Sequence, residues 1–154
     1  MTYVPLTELP EYVRNVRAML KLLPQKNAAT VVYLKGDLGA GKTTFVQHLA
    51  RELQIVENIQ SPTYVLMKSY NVPPGRTQFG TKRRFLKLVH IDAYRLENPQ
   101  EFAALRPTEF LKDPNTLVMI EWPERLGDLA PAPDAVVNFS AEGMGAAERE
   151  IEVH

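Results

Sequence analysis

The sequence contains no cysteine and only three histidines, and these absences narrow the kinds of site that it can hold. Without cysteine, the chain can form neither disulfides nor thiolate metal centres. The histidines, His48, His90 and His154, are too few and too scattered to indicate a zinc site. We interpret His48, in a predicted helix, as a packing or surface residue. The composition therefore excludes thiol chemistry and gives no sign of zinc.

Long apolar runs and a net charge are absent as well. No apolar stretch approaches the roughly 20 residues needed to cross a bilayer, and the N-terminus lacks the basic and apolar regions of a signal peptide. We therefore expect a cytoplasmic protein without membrane contact. The formal net charge is zero, so overall charge predicts no nucleic-acid binding. A chain of 154 residues, 45% of them apolar, suits a single domain over residues 1–154.

The sequence does contain a phosphate-binding loop at residues 36–44, matching G-x-x-x-x-G-K-[ST] between a strand pattern and a helical pattern. Its glycines allow a tight turn that points several backbone N–H groups at one phosphate, and the helix N-terminus adds positive potential. Lys42 can reach the β- and γ-phosphates, and the Thr43 hydroxyl can ligate Mg²⁺. The predicted nucleotide-binding residues of this loop are Leu38, Gly39, Ala40, Gly41, Lys42, Thr43 and Thr44.

Two acidic residues, Asp92 and Glu121, each follow directly on a short apolar strand pattern. An acid at the carboxyl end of a strand can lie beside the phosphate-binding loop, where one carboxylate could hold Mg²⁺ and the other could orient or deprotonate the attacking water or hydroxyl. The strand before Glu121 is the more uniformly apolar, so we favour Glu121 and Thr43 as metal ligands. Lys42, Asp92 and Glu121 form the predicted catalytic set.

The remaining patterns predict an α/β fold. Apolar residues recur at helical spacing over residues 9–23, and Thr7 is a candidate N-cap for that helix. Residues 99–111 should form two short helices because a proline interrupts them. The strands beginning near Tyr64 and Phe85 flank a loop too short for a helical crossover. We therefore predict a phosphate-loop NTPase core of three layers, with a mixed parallel and antiparallel sheet flanked by helices.

Ser61-Pro62-Thr63 should be held extended, because proline disfavours the helical region for the residue before it. The Thr63 hydroxyl could sense the γ-phosphate and Mg²⁺, as switch loops do. The segment could equally be an ordinary turn into the next strand. Its position alone leaves both interpretations open.

A flexible loop is predicted at about residues 71–84, with the basic residues Lys82, Arg83, Arg84 and Lys87 at its end. Such a cluster could contact RNA phosphates. The interpretation that we favour is a solvated hairpin arm. The role of the loop is not assigned, and direct RNA contact stays open.

Four segments together resemble the bacterial TsaE (YjeE) family, in the family's order and approximate spacing. They are residues 36–44, Ser61-Pro62-Thr63-Tyr64, His90-Ile91-Asp92-Ala93-Tyr94-Arg95-Leu96 and Ile120-Glu121-Trp122-Pro123-Glu124. The resemblance implies an ATPase of tRNA threonylcarbamoyladenosine biosynthesis that uses ATP and Mg²⁺ and acts with the proteins TsaB and TsaD. TsaD would transfer the threonylcarbamoyl group to the adenosine beside the anticodon, and the ATPase would support turnover.

The same resemblance implies roles for individual residues. Thr43 and Glu121 would bind Mg²⁺, and Asp92 would be the second essential acid. Thr63 would lie in the switch-like loop, and Trp122 would lie close to the nucleotide. Both are therefore added to the predicted nucleotide-binding residues.

The chain departs from the family at the position of the Thr that helps to hold the adenine. Asn15 stands there, with Thr7 further upstream, so the contact to the base is unassigned. No arginine is obviously placed to complete the site, although Arg95 is a candidate. We therefore expect slow hydrolysis by the isolated protein and faster turnover with a partner.

Two other classes of protein also contain a phosphate-binding loop and remain alternatives. A small-molecule kinase would transfer the phosphoryl group to an acceptor, and a nucleotide-sensing module would bind without hydrolysis. A GTPase is less favoured because the guanine-reading N-K-x-D motif is absent.

Overall fold

The computed structural model describes residues 2–5, 7–60, 62, 65–74, 85–140 and 148–153. Within these residues, seven strands form one sheet in the order β1-β7-β6-β2-β5-β4-β3. The strands are β1 (Thr2–Pro5), β2 (Thr30–Gly36), β3 (Met67–Asn71), β4 (Lys87–Asp92), β5 (Thr116–Glu121), β6 (Ala135–Ser140) and β7 (Glu148–Val153). The helices are α1 (Leu9–Leu22), α2 (Lys42–Glu52), α3 (Gln100–Ala104) and α4 (Pro107–Leu111), and Pro123–Leu129 forms a 3₁₀ segment.

The sheet mixes parallel and antiparallel pairs. Strands β6, β2, β5 and β4 are parallel neighbours, whereas β3 is antiparallel to β4, and β7 is antiparallel to both β6 and β1. Each residue of β5 is buried, as expected for a central parallel strand covered on both faces. The prediction of a mixed sheet is confirmed.

Helices cover both faces of the sheet, so the three-layer prediction is confirmed too. The apolar faces of α1 and α2 pack on one side, against residues such as Val32, Leu88 and Met119. Phe102 of α3 and Phe110 of α4 pack on the other side. The predicted apolar positions of α1 and α2 are buried, except for Leu23, which is partly buried; they are Leu9, Val13, Val16, Leu20, Phe45, Val46, Leu49, Ala50 and Leu53.

The strand register places three strand ends at one level of the sheet. Glu121 of β5 lies opposite Asp92 of β4 on one side and opposite Leu34 of β2 on the other. The loop after β2 begins two residues beyond Leu34, at Gly36. In open α/β sheets, the crevice beyond the carboxyl ends of the strands is where ligands bind. The register therefore brings both predicted acids to the phosphate-binding loop.

Several local predictions need correction. Thr7 is not the N-cap of α1: Glu8 occupies that position, and no side chain caps the helix. The strand predicted from Tyr64 begins only at Met67, because Leu66 has a φ of 64° and interrupts the extended backbone. Strand β1 was not predicted.

Two sequence predictions lie wholly or partly outside the described residues. Thr63 is one of them, so its switch-like role stays a prediction. The predicted loop at about residues 71–84 is described only at its start, where Asn71 still pairs with Lys87. No helix in the described part of the chain is long and apolar enough to cross a bilayer.

Candidate functional site

The phosphate-binding loop joins β2 to α2 through glycines with positive φ angles. Gly36 has a φ of 140°, and a Cβ atom there would lie 2.3 Å from the Phe139 carbonyl oxygen of β6, so no larger residue fits. Gly41 has a φ of 99° at the N-cap of α2, a backbone conformation that glycine adopts without penalty. The amide of Phe45 donates to the Gly41 carbonyl at 2.9 Å and continues the helix from the loop. The predicted strand, tight turn and helix are therefore present.

Lys42 is buried and is held from two sides. Its Nζ donates to the carbonyls of Gly36 at 2.6 Å and Asp37 at 2.7 Å, and lies 4.3 Å from the centroid of the Trp122 ring. An ammonium group carries three hydrogens, so two loop carbonyls orient it and leave one for a phosphate oxygen. The Trp122 face adds a favourable interaction with the cation.

The charge of Lys42 is influenced by burial and by acids. Burial lowers the pKa of Lys42 below its ordinary value of 10.5, and the carboxylates of Glu121, Asp92, Asp37 and Glu124 act in the opposite direction, in decreasing order. The two predicted catalytic acids are thus the largest electrostatic partners of the lysine. Their charges favour the ammonium form, which is the form that binds phosphate.

Glu121 joins three elements of the fold. The Thr43 hydroxyl of α2 donates to Glu121 Oε1 at 2.8 Å, and Nε2 of His90 in β4 lies 2.8 Å from the same oxygen. The Thr43 oxygen keeps its lone pairs when it donates this hydrogen, so it can still ligate a cation. This hydrogen bond brings together the two residues predicted as metal ligands, and their binding of a metal stays a prediction.

Asp92 accepts a hydrogen bond from its own turn. Its Oδ1 accepts the amide of Tyr94 at 3.0 Å, directly after β4. The Tyr94 ring in turn lies beside Trp122, with ring centroids 5.1 Å apart. Trp122 has a φ of 57°, a left-handed conformation that is unfavourable for a bulky residue and that clusters at functional sites. This aromatic pair forms one wall beside the loop.

A cavity of about 400 Å³ collects these groups, a volume within the usual range for ligand sites. Its lining consists of Leu38, Gly39, Gly41, Lys42, Thr43, Thr44, Asp92, Tyr94, Arg95, Glu121 and Trp122. Of the predicted site residues in the described part of the chain, Ala40 alone does not line it, because its side chain is buried in the core. Arg95, named as a candidate for completing the site, does line the cavity.

Two residues at the site received no role from the sequence, His90 and Tyr94. Both lie in one of the four segments that carry the family resemblance, on either side of Asp92. The sequence signal for His90 is a polar side chain inside an otherwise apolar strand pattern, two positions before an acid. Strand alternation puts such residues on the same face.

The donor atoms present suit Mg²⁺. The Thr43 hydroxyl and the carboxylates of Glu121 and Asp92 all offer oxygen, which this ion prefers. Among the described residues, no group of three or more His, Cys, Asp or Glu could hold a metal by itself. Mg²⁺ is usually bound by one or two carboxylates together with substrate phosphates and water. The residues therefore fit an ion that arrives with a nucleotide.

Neither candidate for the base contact lies at this cavity. Asn15 is an exposed residue of α1, and Thr7 precedes that helix, so neither is part of the lining. Of the predicted basic cluster, only Lys87 is described. It begins β4, whereas Asp92 ends the same strand at the cavity. At about 3.3 Å per residue, Lys87 lies well away from the site.

A comparison with protein families identifies one match that covers most of the chain. The family model described as "Threonylcarbamoyl adenosine biosynthesis protein TsaE" matches residues 10–151. Curated proteins named "tRNA threonylcarbamoyladenosine biosynthesis protein TsaE" are similar to this chain in sequence. The protein of Haemophilus influenzae is 34% identical over 121 residues, which cover 79% of this chain and 68% of that protein.

Two further relatives carry the same name. The Treponema pallidum protein is 37% identical over 80% of this chain and 81% of its own length. The Nostoc protein is 43% identical over a match that covers 64% of this chain and 56% of the Nostoc protein. Among solved structures, Bacillus subtilis YdiB has a TM-score of 0.62 and 24% identity over 99% of this chain and 81% of that chain. This likeness shows a shared fold.

Proposed function

This chain belongs to the TsaE family of threonylcarbamoyl adenosine biosynthesis proteins, and we propose that it is a Mg²⁺-dependent ATPase supporting that tRNA modification. The membership confirms the resemblance found in the four sequence segments, and with it a phosphate-loop protein of tRNA processing. The ATPase activity, the cofactors ATP and Mg²⁺ and the roles of single residues are our proposal, as is a single domain over residues 1–154.

One observation carries the proposal: the Thr43 hydroxyl is hydrogen-bonded to Glu121 at 2.8 Å in the same cavity as the loop amides and Lys42. A loop that only bound phosphate would not need a buried acid joined to this hydroxyl. A Mg²⁺-dependent NTPase does need one, because the ion is held by the loop Ser or Thr and an acid at a strand end.

In the proposed reaction, water attacks the γ-phosphorus of ATP, the bond to the β-phosphate oxygen breaks, and ADP and phosphate leave. Lys42 and the loop amides stabilise the negative charge on the phosphate oxygens. Asp92 orients the attacking water and accepts its proton. When bound, Mg²⁺ would neutralise charge on the phosphates, with Thr43 and Glu121 as the residues that hold it.

We propose that hydrolysis is slow in the isolated protein and is stimulated by TsaB and TsaD. The supporting feature is that Arg95, an exposed residue, is the arginine of the described cavity lining. Ordering or adding an arginine at such a site can accelerate phosphoryl transfer by about 10³-fold or more. TsaD would perform the transfer to tRNA, and ATP hydrolysis would allow the system to turn over. Contact with tRNA would be indirect.

The test is phosphate release from Mg-ATP by this protein alone and with its cognate TsaB and TsaD. We expect stimulation by the partners, and we expect Lys42→Ala and Glu121→Ala to abolish it. Lys35→Ala is the matched control, because it removes an exposed lysine just before the loop and outside the cavity lining. It should behave like the unchanged protein.

Other outcomes point to the alternatives. Nucleotide binding without phosphate release, even with both partners present, would indicate a sensing module. Transfer of the phosphoryl group to an added small-molecule acceptor would indicate a kinase. Rapid hydrolysis by the protein alone would contradict the proposed dependence on partners.

A further inference from the structure

His90 is a buried polar residue that the proposed reaction does not use directly. It is 0% exposed and lies in β4, two residues before Asp92. Alternation along the strand places it on the same face as Leu88 and Asp92, and in the neighbouring strand Met119 lies opposite it. A buried imidazole is unfavourable without a hydrogen-bond partner, so the partner indicates what the residue does.

The partner of His90 is Glu121. His90 Nε2 lies 2.8 Å from Glu121 Oε1, and the Thr43 hydroxyl donates to the same oxygen, also at 2.8 Å. Two groups from different elements, β4 and α2, therefore hold one carboxylate oxygen. In the described part of the chain no donor to the second oxygen, Oε2, is found, so Oε2 is the one available to a ligand in the cavity.

The hydrogen bonds also assign the tautomer of His90. An ionised carboxylate only accepts, so Nε2 must carry the hydrogen that points at Glu121. His90 Nδ1 is buried and has no hydrogen-bond partner among the described residues. A hydrogen on Nδ1 would be a buried donor without an acceptor, which is unfavourable. Of the two tautomers, the one with its hydrogen on Nε2 is therefore favoured.

We propose that His90 is a positioning residue, which holds Glu121 Oε1 so that Oε2 is presented to the Mg²⁺ ion of the bound nucleotide or to its water. The proposal rests on the ATPase function above, because it is Mg²⁺ that makes use of Glu121. His90 acts through Glu121 and touches neither the ion nor the nucleotide. Partners of this kind, one shell behind a metal ligand, typically change metal affinity or activity by about 10- to 100-fold when removed.

The experiment compares His90→Met, which removes the donor at similar volume, with His90→Gln, whose amide can still donate to Glu121. The affinity for a non-hydrolysable ATP analogue is measured by calorimetry in Mg²⁺ and in excess EDTA. We expect His90→Met to weaken binding about 10-fold in Mg²⁺ and to leave binding in EDTA unchanged. His90→Gln should recover most of the loss.

Leu88→Met is the matched control, since Leu88 is equally buried on the same face of β4 and is not part of the cavity lining. It should bind like the unchanged protein in both conditions. If His90→Met does not fold, His90→Asn serves the same purpose, because its shorter amide cannot reach Glu121.

Two results would overturn the positioning role of His90 and leave the ATPase proposal standing. One is a folded His90→Met that keeps the full Mg²⁺-dependent affinity. The other is an equal loss in Mg²⁺ and in EDTA, which would make His90 a structural residue. An unchanged protein that binds the analogue equally with and without Mg²⁺ and releases no phosphate would instead overturn the ATPase proposal, and this one with it.

Discussion

The ends of β4 and β5 carry two carboxylates at the same level of the sheet, and the structure holds them differently. Glu121, at the end of β5, receives a hydroxyl from α2 and an imidazole from β4. Asp92, at the end of β4, receives the amide of Tyr94 from its own turn. Glu121 is therefore linked directly to the helix that carries the phosphate-binding loop. The Thr43–Glu121 hydrogen bond supports the proposed role of Glu121 as the metal ligand, and the proposal gives Asp92 the role of the acid that acts on water.

The largest effect expected from this comparison is that of Glu121→Gln. The variant keeps the shape and can still accept from Thr43 and His90, but it removes the negative charge. We expect phosphate release with partners to fall by about 10³-fold, and the Mg²⁺-dependent gain in nucleotide affinity to be lost. Glu97→Gln, which neutralises an exposed carboxylate, is the control and should change neither.

Asp92→Asn should separate the two acids. Asparagine can accept the Tyr94 amide as aspartate does, so the turn after β4 is kept. We expect hydrolysis to fall by about 10²-fold, because the water loses its base, while the Mg²⁺-dependent affinity for the ATP analogue is retained. A loss of that affinity larger than the loss in Glu121→Gln would reverse the two assigned roles.

Double variants that include Thr43→Val should show a smaller effect, which tests the link between Thr43 and each acid separately. Thr43 is bonded to Glu121 and not to Asp92, so Thr43→Val and Glu121→Gln should be non-additive in Mg²⁺-dependent affinity, by about 1 kcal/mol. Thr43→Val combined with Asp92→Asn should be additive within about 0.5 kcal/mol. Thr43→Ser, which keeps the hydroxyl, is the control. Equal coupling to both acids would contradict the difference seen between the strand ends.

The smallest expected effect is on how the affinity for the ATP analogue depends on pH in the alkaline range. Because burial lowers the pKa of Lys42 below 10.5, the lysine loses its proton below that pH, and Mg²⁺-free affinity for the ATP analogue should fall there. Glu121 opposes this shift more than Asp92 does, so the fall should begin at the lowest pH in Glu121→Gln, next in Asp92→Asn and last in the unchanged protein. Measuring the Mg²⁺-free affinity of the three proteins at a series of alkaline pH values checks this order.

Protein stability should change with pH in the opposite direction to nucleotide affinity. Between the lowered pKa and 10.5, the unfolded chain holds more protons on Lys42 than the folded chain does, so this residue makes the free energy of unfolding rise with pH in that window. Thermal unfolding at several alkaline pH values, compared with Lys42→Met, measures this contribution. If Lys42→Met has the same pH dependence as the unchanged protein, the lowered pKa is contradicted.

Sequence patterns predicted the elements whose residues interact locally. The loop, the buried faces of α1 and α2 and the break between α3 and α4 follow from glycine spacing, helical periodicity and one proline. Two predicted element boundaries were wrong. Thr7 does not cap α1, and the positive φ of Leu66 delays the start of β3. A side-chain cap and a positive φ depend on how neighbouring segments meet, and a linear pattern does not contain that information.

The same division applies to the site. The sequence by itself determined that a phosphate-binding loop and two strand-terminal acids are present, because these depend on residue type and short spacing. Only the tertiary structure decided that Asp92 lies opposite Glu121, that Thr43 and His90 share one oxygen of Glu121, and that Lys42 lies under Trp122. The two hydrogen bonds and the Lys42–Trp122 contact join residues that are 31 to 80 positions apart, over distances of 2.8 to 4.3 Å, and strand order and register bring them together.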